Sequence, residues 1–183
     1  KDLVSRQSFI TEGSICHYSW YVPHDIDALV ERMGGKAEFE RRLDMMFALK
    51  DSSSAARLLY WHGNEPCHQI PFLYSYIGKP EKSKRVVDNI LKTEYNDTPG
   101  GLSGNDDAGQ MSAWYMFAAM GFYPVCPSTP YYIIGAPSFD RVTFNLENKK
   151  QFEIIRQKSI NNSNFVRFIL NGKQLDNCQL SHG

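Results

Sequence analysis

Residues 104–121 read GNDDAGQMSAWYMFAAMG, and the change of character within this stretch decides the fold. Gly104 and Gly109 bracket Asn105, Asp106, Asp107 and Ala108, a composition that favours a turn. The residues that follow are apolar almost all round, which predicts a buried helix ended by Gly121. Beyond Gly121 the helical period is lost. Residues 122–137, FYPVCPSTPYYIIGAP, carry four prolines. RVTFNLE, QFEIIRQ, NFVRFILNG and QLSHG then alternate with β-branched and aromatic residues, the pattern of short strands. LENKKQ and LNGKQ supply hairpin turns, the second through Asn171-Gly172.

Upstream, the chain reads as helices. PHDIDALVERMGG (23–35) places Ile26, Leu29, Val30 and Met33 on one stripe, behind Asp25 as a cap and ahead of Gly34-Gly35 as a stop. KAEFERRLDMMFALK (36–50) repeats the stripe through Phe39, Leu43, Met46 and Phe47. PCHQIPFLYSYIG (66–78) predicts a further helix, and PEKSKRVVDNILKTEY (80–95) another, with Val86, Val87, Ile90 and Leu91 inward. Short connections predict antiparallel packing of neighbours. The chain thus divides into a helical part, 1–121, and a strand part, 122–183.

Composition narrows the function. Net charge is zero and no lysine-rich run occurs, which argues against nucleic acid and against an anionic membrane surface as partners. No apolar run approaches the ~18 residues a membrane span needs. KDLVSRQSFI has no apolar targeting core, and the chain ends abruptly at QLSHG, so it reads as a piece of a longer protein. Cys16, Cys67, Cys126 and Cys178 are widely spaced, which predicts free thiols rather than a zinc or redox motif. Asn96 and Asn161 begin N-x-S/T sequons, relevant in a eukaryotic secreted parent.

Three segments place polar groups where packing does not require them. SFITEGSICHYSWYVPHD carries Glu12 beside Gly13, then His17, Trp20 and His24. YWHGNEPCHQIP crowds Trp61, His62, Asn64, Glu65 and His68 around Gly63 and Pro66. The third is the opening stretch. Asn64, Glu65 and either aspartate would each serve as an ordinary helix cap. One aspartate suffices for capping, and two adjacent like charges repel, so the second calls for a cation, an arginine or a proton. A glycosidase needs two carboxyl groups across the scissile bond, one to protonate the leaving oxygen and one to activate water or attack. Glu12, Glu65, Asp106 and Asp107 are the candidates, on loops that a ring of helices would bring to one mouth. The oxygen-rich donors suit Ca²⁺ better than zinc. No serine-hydrolase elbow, phosphate loop or dinucleotide motif occurs.

GLSGNDDAGQMSAWYMFAAMGFYPVCP, HGNEPCHQIPFLY and YVPHDIDALVERMGG together closely resemble family 92 of the glycoside hydrolases, in order along nearly the whole chain. That resemblance implies a calcium-dependent, exo-acting, inverting α-mannosidase. It implies a mixed, mostly α fold: part of an (α/α)6 barrel in residues 1–121, then the first strands of a C-terminal antiparallel β-sandwich in 122–183. The partners implied are a mannose-containing glycan, as in N-glycan processing, and an N-terminal domain of the same protein that this chain lacks. By residue, Glu12 would be the general acid and Asp107, with Asp106 beside it, the general base. Asn64, Glu65 and Asp107 would meet Ca²⁺, and His62, His68 and Trp20 would line the sugar pocket. An inverting pair leaves room for water, with carboxyl groups roughly 6.5–9.5 Å apart. Where the family has N-A-W-Q after T-E-G, this chain has Ser14, Ile15, Cys16 and His17; after G-N-E-P it has Cys67, His68 and Gln69. Both departures bear on linkage specificity. A lectin-like calcium module and another (α/α)6 glycosidase, of the glucoamylase or trehalase kind, are the competing readings. The parent is expected to be secreted, periplasmic or at the cell surface, and the segment alone to be inactive.

Overall fold

A computed structural model of the chain describes residues 7–48, 54–157 and 168–181. Seven α-helices precede seven short strands in these residues: α1 Ile15–Tyr18, α2 Ile26–Arg32, α3 Lys36–Met46, α4 Ser54–Leu59, α5 Leu73–Tyr76, α6 Pro80–Thr93 and α7 Gln110–Met120. No described helix is long and apolar enough to cross a membrane. The stripes read from sequence bury as expected. Ile26, Leu29 and Val30 of α2 lie inward, as do Phe39, Leu43 and Met46 of α3 and Val86, Val87 and Ile90 of α6. Asp25 caps α2, its Oδ1 accepting from the Ala28 N–H at 3.0 Å, a bond of the kind that contributes about 1 kcal/mol.

Two helical expectations are corrected. Residues 66–78 do not form one helix. They form 3-10 turns at Glu65–Cys67 and Ile70–Phe72, followed by the single turn of α5. Pro71 is the reason: it has no N–H for the Cys67 carbonyl, and its ring would clash with that carbonyl in an α-helix. A carbonyl near the break is used by a side chain instead, the His68 carbonyl accepting from Trp114 Nε1 at 2.8 Å. Nor is α7 buried all round. Met111, Trp114, Ala118 and Ala119 lie inward, while Tyr115 is 40% and Met116 57% exposed. Near-uniform apolarity left the inner face undefined in the sequence. The sequence stripes assign no helix to α1 or α4.

The strands are β1 Phe122–Tyr123, β2 Tyr131–Ile134, β3 Arg141–Asn145, β4 Gln151–Ile155, β5 Ile169–Leu170, β6 Lys173–Gln174 and β7 Gln179–Ser181. β1, β2 and β7 form an antiparallel sheet in the order β1-β2-β7. β3 pairs with β4, setting Phe144 opposite Phe152, and β5 pairs with β6. Asn171 and Gly172 both adopt positive φ, 50° and 82°, as the Asn-Gly hairpin turn requires. The proline-rich segment 122–137 therefore holds two strands that its sequence concealed. The cysteines are free, three buried and Cys16 half-buried. Asn161, residues 49–50 of the KAEFERRLDMMFALK segment and 164–167 of NFVRFILNG lie outside the described residues.

The core joins the two parts. Trp114 lies parallel to Tyr95 at 6.1 Å between ring centres, and Phe72 stacks on Tyr123 at 4.9 Å. Trp20 meets the edge of Phe39 at 5.1 Å. Phe72 also meets the edge of Trp114 at 6.0 Å, so α7 and β1 both pack on the 62–76 segment.

Candidate active site

Three loops meet at the N-terminal end of α7. The first carries Glu12 and is fastened to the end of α4: Ser14 Oγ donates to the Leu58 carbonyl at 2.6 Å, and His17 Nε2 donates to the Arg57 carbonyl at 2.8 Å. The second carries Asn64 and Glu65. It is tied to the first by Asn64, whose Nδ2 donates to the Glu12 carbonyl at 3.0 Å. The third is the GNDDAG turn. It approaches the second backbone to backbone: a Cβ on Gly104 would lie 2.8 Å from the Gly63 carbonyl oxygen, and one on Gly63 would lie 2.7 Å from the Ser103 carbonyl oxygen. Only glycine at both positions permits that approach.

The two aspartates of the third loop have separate fates. Asp106 serves the helix. Its Oδ1 accepts from the Ser112 N–H at 2.8 Å, and its carbonyl accepts from the Gly109 and Met111 N–H groups. Asp107 adopts φ 45°, followed by Ala108 at 57° and Gly109 at 94°. This left-handed run leads into α7, and the Asp107 carboxylate meets Glu65. The hydrogen-bonding contact with Asp107 pushes the Glu65 carboxyl above its usual range; burial adds to the effect, and the Glu12 charge contributes further. Glu12, Glu65 and Asp107, from three distant parts of the chain, thus share one electrostatic environment. Glu12 also holds a left-handed backbone, φ 60°. Non-glycine residues in this region are strained and concentrate at functional sites.

His62, His68 and Trp20 lie behind this rim, not on it, at 1%, 1% and 4% exposure. The Tyr60 hydroxyl meets His62 Nδ1 at 2.8 Å, and His62 Nε2 meets the Tyr95 hydroxyl at 2.7 Å. Tyr95 in turn donates to the Met111 carbonyl at 3.1 Å. Tyr95 must therefore accept from His62 Nε2–H, which leaves Nδ1 bare to accept from Tyr60. His68 Nε2 donates to the His62 carbonyl at 2.9 Å, and Gln110 Nε2 donates to His68 Nδ1 at 3.1 Å. Trp20 offers its carbonyl to Gln69 Nε2 at 3.3 Å. Tyr60, Tyr95, Gln110 and Tyr123 complete this network. Nothing local in the sequence marks the tyrosines, since Tyr95 reaches His62 across 33 positions.

Burial keeps both histidines neutral, pushing His62 well down and His68 to about 4. The stability consequence has a definite sign. A histidine whose folded pKa lies below its unfolded value stabilises fully above pH ~6.5, and that contribution is lost as pH falls from there toward the folded pKa. For His68 the loss between pH 6.5 and about 4 is about 3 kcal/mol. Thermal melts of the full-length protein should shift downward between pH 7 and 4.5; unchanged melting over that range would contradict the neutral, buried assignment.

The candidate cation donors are the Glu65 and Asp107 carboxylates and the Asn64 amide oxygen, which is left as an acceptor by the bond its nitrogen makes to Glu12. Hard oxygen donors of this kind match Ca²⁺, and a cation would relieve the repulsion between the two carboxylates. Among the described residues no three His, Cys, Asp or Glu side chains are grouped as metal ligands, so the fit rests on two carboxylates and an amide.

The catalytic-domain model of glycosyl hydrolase family 92 matches residues 2–183. The chain belongs to this family. Glycosyl hydrolase family 92 also accounts for the structural likenesses. A family 92 α-mannosidase from Bacteroides thetaiotaomicron, BT3965, superposes with TM-score 0.84 at 40% identity, over 100% of this chain and 24% of that one. The inverting family 92 mannosidase BT2199 from the same organism gives TM-score 0.84 at 35% identity, over 100% of this chain and 27% of that one. A protein from Arthroderma benhamiae named an uncharacterized secreted glycosidase is 31% identical over 95% of this chain and 24% of its own length. The chain spans about a quarter of each relative. Its mixed helices and antiparallel strands are those of family 92 structures, and it is the C-terminal part of that family's catalytic region.

Proposed function

We propose that the full-length protein is an exo-acting, inverting, Ca²⁺-dependent α-mannosidase, and that residues 1–121 supply part of its (α/α)6 barrel and 122–183 the first strands of a C-terminal β-sandwich. The observation that carries this reading is the meeting of Glu12, Glu65 and Asp107 at one site. The α-mannosidase neighbours supply the sugar.

In this mechanism Glu12 gives its proton to the glycosidic oxygen of a terminal α-mannose. Asp107, beside Glu65 in the left-handed turn, takes a proton from water on the opposite face of the ring. Asp106 keeps the turn in place through Ser112. Asn64, Glu65 and Asp107 would hold Ca²⁺, which supplies charge stabilisation and fixes the orientation of ring hydroxyls. His62 and His68, read from sequence as sugar contacts, act here by supporting the loops from beneath. The substrate is a mannose-containing glycan, and N-glycan trimming is the corresponding role. The segment alone is expected to be inactive, because the rest of the pocket lies elsewhere in the protein.

The test is release of mannose by the full-length protein from α-1,2-, α-1,3- and α-1,6-linked mannobioses, with and without EGTA. Cleavage of at least one, abolished by EGTA and restored by Ca²⁺, is expected. Binding without release would make the protein a calcium-dependent lectin. Cleavage indifferent to EGTA would place it mechanistically with metal-independent (α/α)6 glycosidases.

A further inference from the structure

Gln110 is the first residue of α7, three positions after Asp107, and is half-buried. Its orientation follows from a chain of hydrogen bonds that begins in the core. The His62 carbonyl can only accept, so His68 Nε2 is the donor in their 2.9 Å bond. The buried His68 ring is neutral, and its Nδ1 is therefore a bare lone pair. Gln110 must turn its amide nitrogen toward that lone pair, at 3.1 Å. The same nitrogen donates to the Tyr123 hydroxyl at 3.3 Å. Both amide protons are thereby used. The amide oxygen, with two lone pairs, has no hydrogen-bond partner among the described residues, and because the side chain is only half-buried it can be met from solvent.

We propose that Gln110 is a substrate-binding residue whose amide oxygen accepts a hydrogen bond from one hydroxyl of the sugar cleaved at the Glu12–Asp107 site. This rests on the glycosidase reading of that site. The chemistry suits a sugar: each hydroxyl donates a proton, and an acceptor whose orientation is already fixed pays little ordering entropy on binding. The buried histidines thereby gain a role in recognition, since His68 decides which end of the amide faces outward. A glutamine free to flip would present a donor half the time.

The experiment measures kcat/KM of the full-length protein on an aryl α-mannoside and on its 2-, 3-, 4- and 6-deoxy analogues, for wild type and Gln110→Leu, with Gln110→Met as a second variant should leucine impair folding. Wild type should lose at least tenfold on one particular deoxy sugar. Gln110→Leu should lose a similar factor on the full sugar and nothing further on that analogue, while the other analogues stay sensitive to the substitution. A loss of equal size on all five substrates marks a merely structural role and overturns the proposal, as does no loss at all. A wild type that cleaves none of the five overturns the mannosidase reading itself and this proposal with it; a wild type that cleaves them without the selective pattern leaves that reading standing and removes only Gln110.

Discussion

Glu12→Gln in the full-length protein should lower kcat on a natural mannobiose by about 10² to 10⁴, the range general-acid assistance supplies, and by less than about tenfold on a dinitrophenyl mannoside. The difference arises at the leaving oxygen. A sugar alkoxide leaves poorly unless it is protonated as the bond breaks, whereas dinitrophenolate leaves without help. Glutamine keeps the size of the side chain and the backbone bond from Asn64 to the residue 12 carbonyl, so the loop should hold its position. Equal loss on both substrates would remove Glu12 from the role of acid and leave it a structural part of the loop.

The second large effect should separate the two aspartates. Asp107→Asn keeps the volume and tolerates the left-handed backbone, but it cannot take a proton from water; kcat should fall by about 10² to 10⁴ on activated and natural substrates alike. The substitution should not destabilise the fold, since it removes the carboxylate that opposes Glu65. Asp106→Ala should behave in the opposite way. It removes the acceptor for the Ser112 N–H, at a cost of about 1 kcal/mol, and should lower the melting temperature with a much smaller change in kcat. Similar kinetic damage from both substitutions, or a large loss of stability at Asp107, would contradict the division of labour between them.

Much of this was legible in the sequence wherever the information is local. The stripes of α2, α3 and α6, the Asp25 cap and the Asn171-Gly172 turn are each set by residues within a few positions. The apolar content of segment 66–78 suggests a helix, while Pro71 forbids one from inside it. β1 and β2 were hidden among prolines, and they exist because β2 pairs with Gln179–Ser181, far along the chain. The same distinction governs the site. Carboxylates beside glycines mark the three loops as candidates, and the repulsion between Asp106 and Asp107 calls for a partner to the second of them. Which of them faces the helix depends on the φ of residues 107–109. The resemblance puts His62 and His68 at the sugar pocket, whereas their partners Tyr60, Tyr95 and Gln110 come together only in the folded chain.

The most direct measurement follows an α-linked mannobiose by proton NMR from the first minutes of digestion with the full-length protein, before the released sugar mutarotates. Water placed by Asp107 opposite a leaving group protonated by Glu12 yields β-mannose first, with the α anomer appearing only later. α-Mannose as the first product would require a covalent intermediate and would contradict the assignment of Asp107 as a base acting through water.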